Sequence, residues 1–314
     1  MIGESTAAWN QRHQAWLDYI NEFVRLLESG KKIALGPSAG RLDPAPAPAA
    51  AGRAAHIVVC APHPDDEALI GALPVRLRQE CGARVSSCAI TFGSNLSQRA
   101  RRLRELESAC RVLGFQLVIP RLPLGFDNVS LQARIERPQE WAEKVQTLSR
   151  CFETLQPDVV LAPHADDWNK AHMGTHYLAV DALGDYLART GRGPIPFIET
   201  EFWHENSQSN LMIGVSPEVE AILVMATAEH GGEVSRNPYH LRHPSRMIEN
   251  VRLGAETVGG QGGAAPDFPF AELYRVTFMR GKEQIAARPG GRIIRPSEKI
   301  DLELLLKDFR PEGL

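Results

Sequence analysis

Between residues 56 and 162, short unbroken apolar runs alternate with longer stretches in which apolar positions recur every three to four residues. His56-Ile57-Val58-Val59-Cys60-Ala61 is rich in β-branched residues and carries no polar alternation, the pattern of a strand buried on both faces. Helical spacing follows over 67–80, then a strand over 84–92 and a helix from about 97 to 113 closed by Gly114. A short strand over 116–119, a helix over 138–155 and a strand over 158–162 continue the series. Such alternation implies crossover connections between parallel strands. The pattern predicts an α/β fold: a Rossmann-like, doubly wound, mostly parallel sheet with helices on both faces.

The ends of the chain follow other rules. Trp9, Trp16, Ile20, Phe23, Val24 and Leu27 fall on one face of an amphipathic helix over 6–29, an N-terminal helical appendage free to pack on the main domain or on a second subunit. Residues 43–55 carry a Pro-Ala repeat suited to a tether rather than a core. Past residue 194 the expectation is a strand over 197–204, another over 211–215, and a helix opening at Ser216-Pro217. A helix over 239–257, a flexible Gly-rich loop over 259–263 and a strand over 271–278 come next. Residues 283–314 read as a polar tail with one short helix at 301–306. The expected organisation is a helix at 1–36, a linker at 37–55, the main domain at 56–280 and a tail at 281–314.

Composition narrows the class. Of 314 residues 43% are hydrophobic and 23% charged, as in soluble globular proteins, and a net charge of −3 argues against a nucleic-acid partner. The basic run Arg99-Ala100-Arg101-Arg102-Leu103-Arg104 is answered by Glu105 and Glu107 and reads as a solvated helix face. Five cysteines without CxxC spacing predict free thiols in a reducing compartment. Neither a signal peptide nor an apolar run long enough for a transmembrane segment is visible, so a cytoplasmic location is expected.

The chemistry is concentrated where strands end. The first strand runs into Pro62-His63-Pro64-Asp65-Asp66-Glu67, and in open α/β sheets ligands bind at this carboxyl edge. Four ionisable groups in five residues would repel or desolvate one another unless a cation compensated them. An acidic helix cap would explain one of the two aspartates, but not His63 between two prolines. The later strand 158–162 ends likewise in Pro163-His164, and continues through Asp166-Asp167-Trp168-Asn169 to His172 and His176, which share one face if the helix has begun there, and then to helical spacing over 177–187. Two strands thus deliver His and Asp groups to one edge.

Taken together, these residues resemble the zinc-dependent N-acetylglucosamine-conjugate deacetylases of the PIG-L/LmbE-like family, which includes the phosphatidylinositol-glycan de-N-acetylase and the mycothiol-pathway deacetylase. Ala61-Pro62-His63-Pro64-Asp65-Asp66-Glu67 matches the family's His-Pro-Asp-Asp signature, and the likeness extends over 56–280 through Arg102, Glu105, Ala109, Leu113-Gly114, Asp127, Pro163-His164 and 270–274. The resemblance implies that His63 and Asp66 bind zinc, that Asp65 is the general base, and that Arg102 and Asp127 orient the substrate. His172 takes the place of the third ligand, with His176 in reserve. The family's His-Pro-Asp-His run is here Asn169-Lys170-Ala171-His172, so an amide stands where relatives often have an imidazole. Asn169 can donate a hydrogen bond to an oxyanion but cannot deliver a proton, leaving His164, His176 or the protonated Asp65 to serve as the acid.

The implied activity is hydrolysis of an N-acetyl group on a small-molecule amino-sugar conjugate. Zinc suits the chemistry because it lowers the pKa of bound water from 15.7 to about 7, although Fe²⁺ or another divalent ion is compatible with the same donors. Two alternatives stand beside it. One is a non-catalytic metal- or sugar-binding domain, and the other is the same chemistry on a non-sugar amide, with the acidic-aromatic strand 199–204 lining its pocket.

Overall fold

The computed structural model of the chain describes residues 2–37, 43, 44, 46–49 and 52–313. Much of the expected Pro/Ala-rich linker, residues 38–42, 45, 50 and 51, lies outside the described residues. In chain order the elements are α1 (Ile2–Gly30), β1 (His56–Ala61), α2 (Asp66–Leu69), α3 (Ala72–Cys81), β2 (Arg84–Ala89), α4 (Arg99–Leu113) and β3 (Gln116–Val118). Then come α5 (Leu131–Glu136), α6 (Pro138–Leu155), β4 (Val159–Pro163), α7 (Lys170–Thr190), β5 (Ile195–Thr200), β6 (Leu211–Val215) and α8 (Pro217–Ala228). The chain ends with α9 (Gly231–Val234), α10 (His243–Thr257), β7 (Phe270–Arg280), β8 (Glu283–Ala286), β9 (Arg292–Ile294) and α11 (Leu302–Phe309).

One sheet in the order β3-β2-β1-β4-β5-β7-β6-β9 runs through the molecule, with β8 paired to β7. From β3 to β5 all pairs are parallel, whereas β7 runs antiparallel to both β5 and β6. The doubly wound, mostly parallel α/β architecture is therefore present, with an antiparallel extension at one side. Alternate residues of β1 serve opposite faces. Ile57 and Val59 pack with α3, α4, α8 and α11, while Val58 and Cys60 pack with α6 and α7. All five cysteines are free.

The chain leaves β1 toward β2 and β3 on one side and returns to β4 on the other. The strand order thus reverses between β1 and β4, and a crevice opens at their carboxyl ends.

Several elements differ from the sequence expectation for local reasons. The helix expected over 67–80 is broken into α2 and α3 at Gly71, where a Cβ would lie 2.7 Å from Leu223 Cδ2 of α8. The break lets α2 stay a single turn behind the aspartates. Helix α5 falls inside an expected loop and starts on Ser130, whose side chain accepts from the Ala133 amide. Residues 283–314 are no tail: β9 pairs with β6, and Ile300, Leu305 and Phe309 are buried in the main core. Their few apolar residues are spaced too widely to read as a core until the sheet gathers them.

Residues 6–29 of helix α1 are exposed, with Trp9 62% and Trp16 67% accessible, and the helix meets the rest of its chain at its last residue, Gly30, beside Leu241. Its exit continues the contact: the Gly36 amide donates to the Ala228 carbonyl at 2.8 Å. Among the described residues, no helix is long and apolar enough to cross a membrane.

Candidate metal centre

The turn after β1 and the start of α7 bring His63, Asp66 and His172 together at the crevice, with one potential ligand atom from each lying within 4.8 Å of the others. His63 Nδ1 and His172 Nε2 each stand 3.3 Å from Asp66 Oδ2. The other nitrogen of His172, Nδ1, is 3.4 Å from Asp167 Oδ2. The His172 ring is fully buried, yet neither nitrogen has a hydrogen-bond partner. An unsatisfied buried imidazole is costly. Here one nitrogen faces the shared centre and the other a carboxylate, the arrangement in which a histidine binds a cation while a second carboxylate orients its ring. Two imidazoles and one carboxylate, open to a cavity on the remaining side, form a donor set that fits a divalent ion with a free coordination position.

Electrostatics around the group are polarised. Burial alone would raise Asp66, but His172 and then His63 hold it well below the usual carboxylate range. Burial lowers His172, and the two carboxylates more than offset it, raising its pKa to about 9. A cation arriving at this centre replaces a proton that the carboxylates already favour.

Asp65 has the opposite environment. Burial, followed by repulsion from Asp66, raises its carboxyl to about 7. Its backbone is held at φ 114°, a region L-residues seldom occupy. Two contacts keep it there. The Asp65 amide donates to Glu67 Oε2 at 2.9 Å, and Glu67 Oε1 is gripped at 2.7 Å by His230 Nε2 from the loop after α8, with both side chains wholly buried. The Tyr239 hydroxyl donates to Asp65 Oδ2. Backbone strain held by buried partners at a reactive carboxyl is a mark of a functional site.

A cavity of about 870 Å³ opens over the centre, and His63, Asp65, Asp66, Arg102 and Asn169 line it. Arg102 makes long contacts to the Phe92 and Pro64 carbonyls at 3.4 and 3.5 Å, and its Nε has no hydrogen-bond partner. Asn169 caps α7, its side-chain oxygen accepting from the Ala171 amide at 2.9 Å.

Three expected residues are not brought into the group. His164, at the end of β4, is buried with Nε2 2.9 Å from the His204 carbonyl, and does not line the cavity. His176 lies one turn beyond His172, with Nδ1 2.8 Å from the Pro163 carbonyl and 3.9 Å from Glu199 Oε1, and it is not grouped with His63, Asp66 and His172. Asp127 is exposed on the loop before α5 and pairs with Arg99 at 2.5 Å, outside the cavity.

Conversely, the reading of the sequence gave no role to Asp167, Glu67, His230 or Tyr239. Asp167 carried one local signal, its place two residues before the helix cap Asn169, whose amide it accepts at 2.7 Å. His230 and Tyr239 lie more than 160 residues from their partners, where no spacing rule reaches.

Residues 58–183 match the family model described as GlcNAc-PI de-N-acetylase, PIG-L. Over those residues the chain is similar to the PIG-L family. The matched stretch runs from β1 through most of α7 and includes all three residues of the candidate centre. No curated protein sequence matches the chain.

Solved structures share the fold over about three quarters of the chain. N,N'-diacetylchitobiose deacetylase from Pyrococcus horikoshii is 16% identical, with 73% of this chain and 85% of that one covered at a TM-score of 0.53. The deacetylase Dbv21, which acts on the pseudoaglycone of the antimicrobial A40926, is 17% identical over 73% and 98% of the two chains, with a TM-score of 0.51. GalB, the 4-carboxy-2-hydroxymuconate hydratase of Pseudomonas putida KT2440, is 18% identical over 74% and 100%, also at 0.51. Two deacetylases and a hydratase on one fold mean that the reaction must be argued from the site.

Proposed function

We propose that the protein is a zinc-dependent hydrolase that removes the N-acetyl group from an N-acetylglucosamine-type sugar or conjugate. The observation that carries this reading is the juxtaposition of His63, Asp66 and His172 with the separately buried Asp65, whose pKa of about 7 suits proton transfer at neutral pH. When bound by His63, Asp66 and His172, zinc supplies Lewis acidity and a nucleophilic water at neutral pH.

The chain's own residues would do the rest. Asp65 accepts the proton of the attacking water on its carboxylate and returns it to the departing amine. Asn169, with its oxygen committed to the α7 cap, offers its Nδ2 donors to the developing oxyanion. Arg102, held at the cavity wall by ion pairs with Glu233 at 3.5 Å and Asp65 at 4.0 Å, orients substrate hydroxyls. Asp127 acts from outside by holding Arg99, whose Nε donates to the Gly93 carbonyl at 2.9 Å on the cavity rim. His164 does not line the cavity, and Asp65 makes both proton transfers without it.

The test combines elemental analysis with an assay for amine release from a panel of acetamido sugars. Wild type should hold about one equivalent of zinc, His63→Ala and His172→Ala should lose it, and Asp65→Asn should keep it while kcat drops by ~10²–10⁴. Metal retained in both histidine variants, or near-normal turnover in Asp65→Asn, would remove this assignment. An intact metal site with no amine released from any sugar would favour a binding role.

A further inference from the structure

Helix α1 takes no part in the candidate centre and lies open to solvent over residues 6–29. Its apolar positions nevertheless follow a rule. Trp9, His13, Trp16, Ile20, Phe23 and Leu27 recur at alternating steps of four and three, the spacing of a coiled-coil seam. Leu17 and Val24 widen the seam on one flank and Tyr19 and Leu26 on the other, while the opposite face carries Gln11, Asp18, Glu22 and Arg25. The rings already support one another. Trp9 stacks on His13 at 4.8 Å with planes 8° apart, and Tyr19 meets Trp16 and Phe23 edge-on at 5.8 and 5.2 Å.

The size of this face argues for a partner. Its nine large apolar side chains are 37–67% exposed. With ~150–250 Å² for an aromatic side chain and ~100 Å² for an aliphatic one, they display on the order of 700 Å². That exceeds the ~300–600 Å² of the largest apolar patch on a typical monomer, and approaches the ~800 Å² that each partner brings to a stable interface.

Charge and attachment decide between occupants. Among the described residues the helix meets its own chain at its root, with Gly30 beside Leu241 and the Gly36 amide on the Ala228 carbonyl, so the body leaves the seam uncovered. A bilayer surface suits it poorly. Interfacial helices turn a Lys/Arg-rich face to anionic headgroups, whereas here Glu4, Asp18, Glu22 and Glu28 outnumber Arg12 and Arg25. Lys31 and Lys32 beyond the helix bring the segment only to neutrality, and Arg25 and Lys31 are already paired with Glu22 and Glu28. An unlike helix would be selected through charges flanking the seam, and between residues 9 and 27 Arg12 is the only charged flanking position. A second copy needs no such code, because the seam matches itself and brings the same area.

We propose that α1 pairs with α1 of a second copy of this chain along the seam 9–27, and that the protein is a homodimer. The pairing stands on the helix alone and is independent of the reaction assigned to the candidate centre.

Sedimentation velocity and light scattering on the full-length protein read the assembly directly. Wild type at micromolar concentration should show twice the chain mass of 34.6 kDa. Trp16→Glu and Ile20→Glu, which set a charge in the seam, should each weaken the dimer by roughly 30-fold or more, and the double variant should be monomeric. Gln11→Glu adds the same charge on the opposite face and should change the dimer Kd by no more than about 2-fold. All three positions are exposed, so the dimer is removed without loss of the fold. A wild type that is monomeric throughout, or a dimer that persists in the double variant, would overturn the pairing. Flotation of a monomeric wild type with vesicles of phosphatidylcholine and phosphatidylglycerol, abolished in the double variant, would overturn it too and give the face to a membrane.

Discussion

At the scale of single residues, Asp65 sets the proposed function against stability. A positive φ on an L-residue costs of order 1–3 kcal/mol, and a buried carboxyl beside Asp66 adds to it. Glycine adopts that backbone freely and carries no charge to bury. Asp65→Gly should therefore raise unfolding stability in urea by about 1–2 kcal/mol while abolishing amide hydrolysis, the Tyr239 hydroxyl turning to solvent in the cavity. A variant less stable than wild type would show that the backbone at 65 is not held against its preference. His63 and Asp66 stand out because they follow a strand directly in a dense ionisable cluster, whereas His172 was singled out from His176 by the resemblance to the deacetylases. Their supports were not legible. Glu67 reads as one more acid in a helix start until His230, brought from the far end of α8, reveals it as the acceptor that fixes the Asp65 amide.

The unit that aims His172 is helix α7. Its register against the neighbouring loop depends on Gly174, where a Cβ would lie 2.5 Å from the backbone of Val129 and Ser130. Backbone cannot yield as a flexible side-chain tip can, so an added methyl must push α7 off the loop. Gly174→Ala should cost roughly 1–3 kcal/mol in stability and, because His172 lies two residues before it, should also weaken zinc binding. Zinc affinity unchanged in the folded variant would show that His172 is aimed by Asp167 and not by the seating of the helix. Helices α6 and α4 were read from periodicity alone, α6 to the residue and α4 nearly so, whereas for α7 helical spacing was visible only over 177–187. Failures came where an element is short or a helix breaker was passed over: Pro74 in the first turn of α3 has no amide to donate to the Ile70 carbonyl, and α5 is a six-residue helix that local spacing cannot separate from a loop.

Across the whole molecule, the antiparallel extension links the last third of the chain to the centre, and this was the least legible part of the fold. Strand β7 was visible, but what it carries was not. Glu272 accepts from the Ala72 amide at 2.9 Å, at the first residue of α3, and the neighbouring Tyr274 hydroxyl donates to it. The carboxyl thus braces the helix pair behind the metal loop from two hundred residues away. Burial raises its pKa from the usual 4.5 to about 7, and its Oε1 has no hydrogen-bond partner, so the neutral acid is the form the fold prefers. The sign follows from proton uptake. In the unfolded chain the group ionises near pH 4.5, whereas in the folded chain it stays protonated until about 7, so its contribution is full below 4.5 and is lost as pH rises to 7. Glutamine keeps an acceptor for the Ala72 amide and cannot ionise. The stability of wild type minus that of Glu272→Gln, measured by urea unfolding, should therefore fall between pH 4.5 and 7 and level off above it. A difference that stays flat across this range would mean that Glu272 is ionised in the folded protein, its charge met by His243 of α10, and that the brace is an ion-paired network rather than a neutral one.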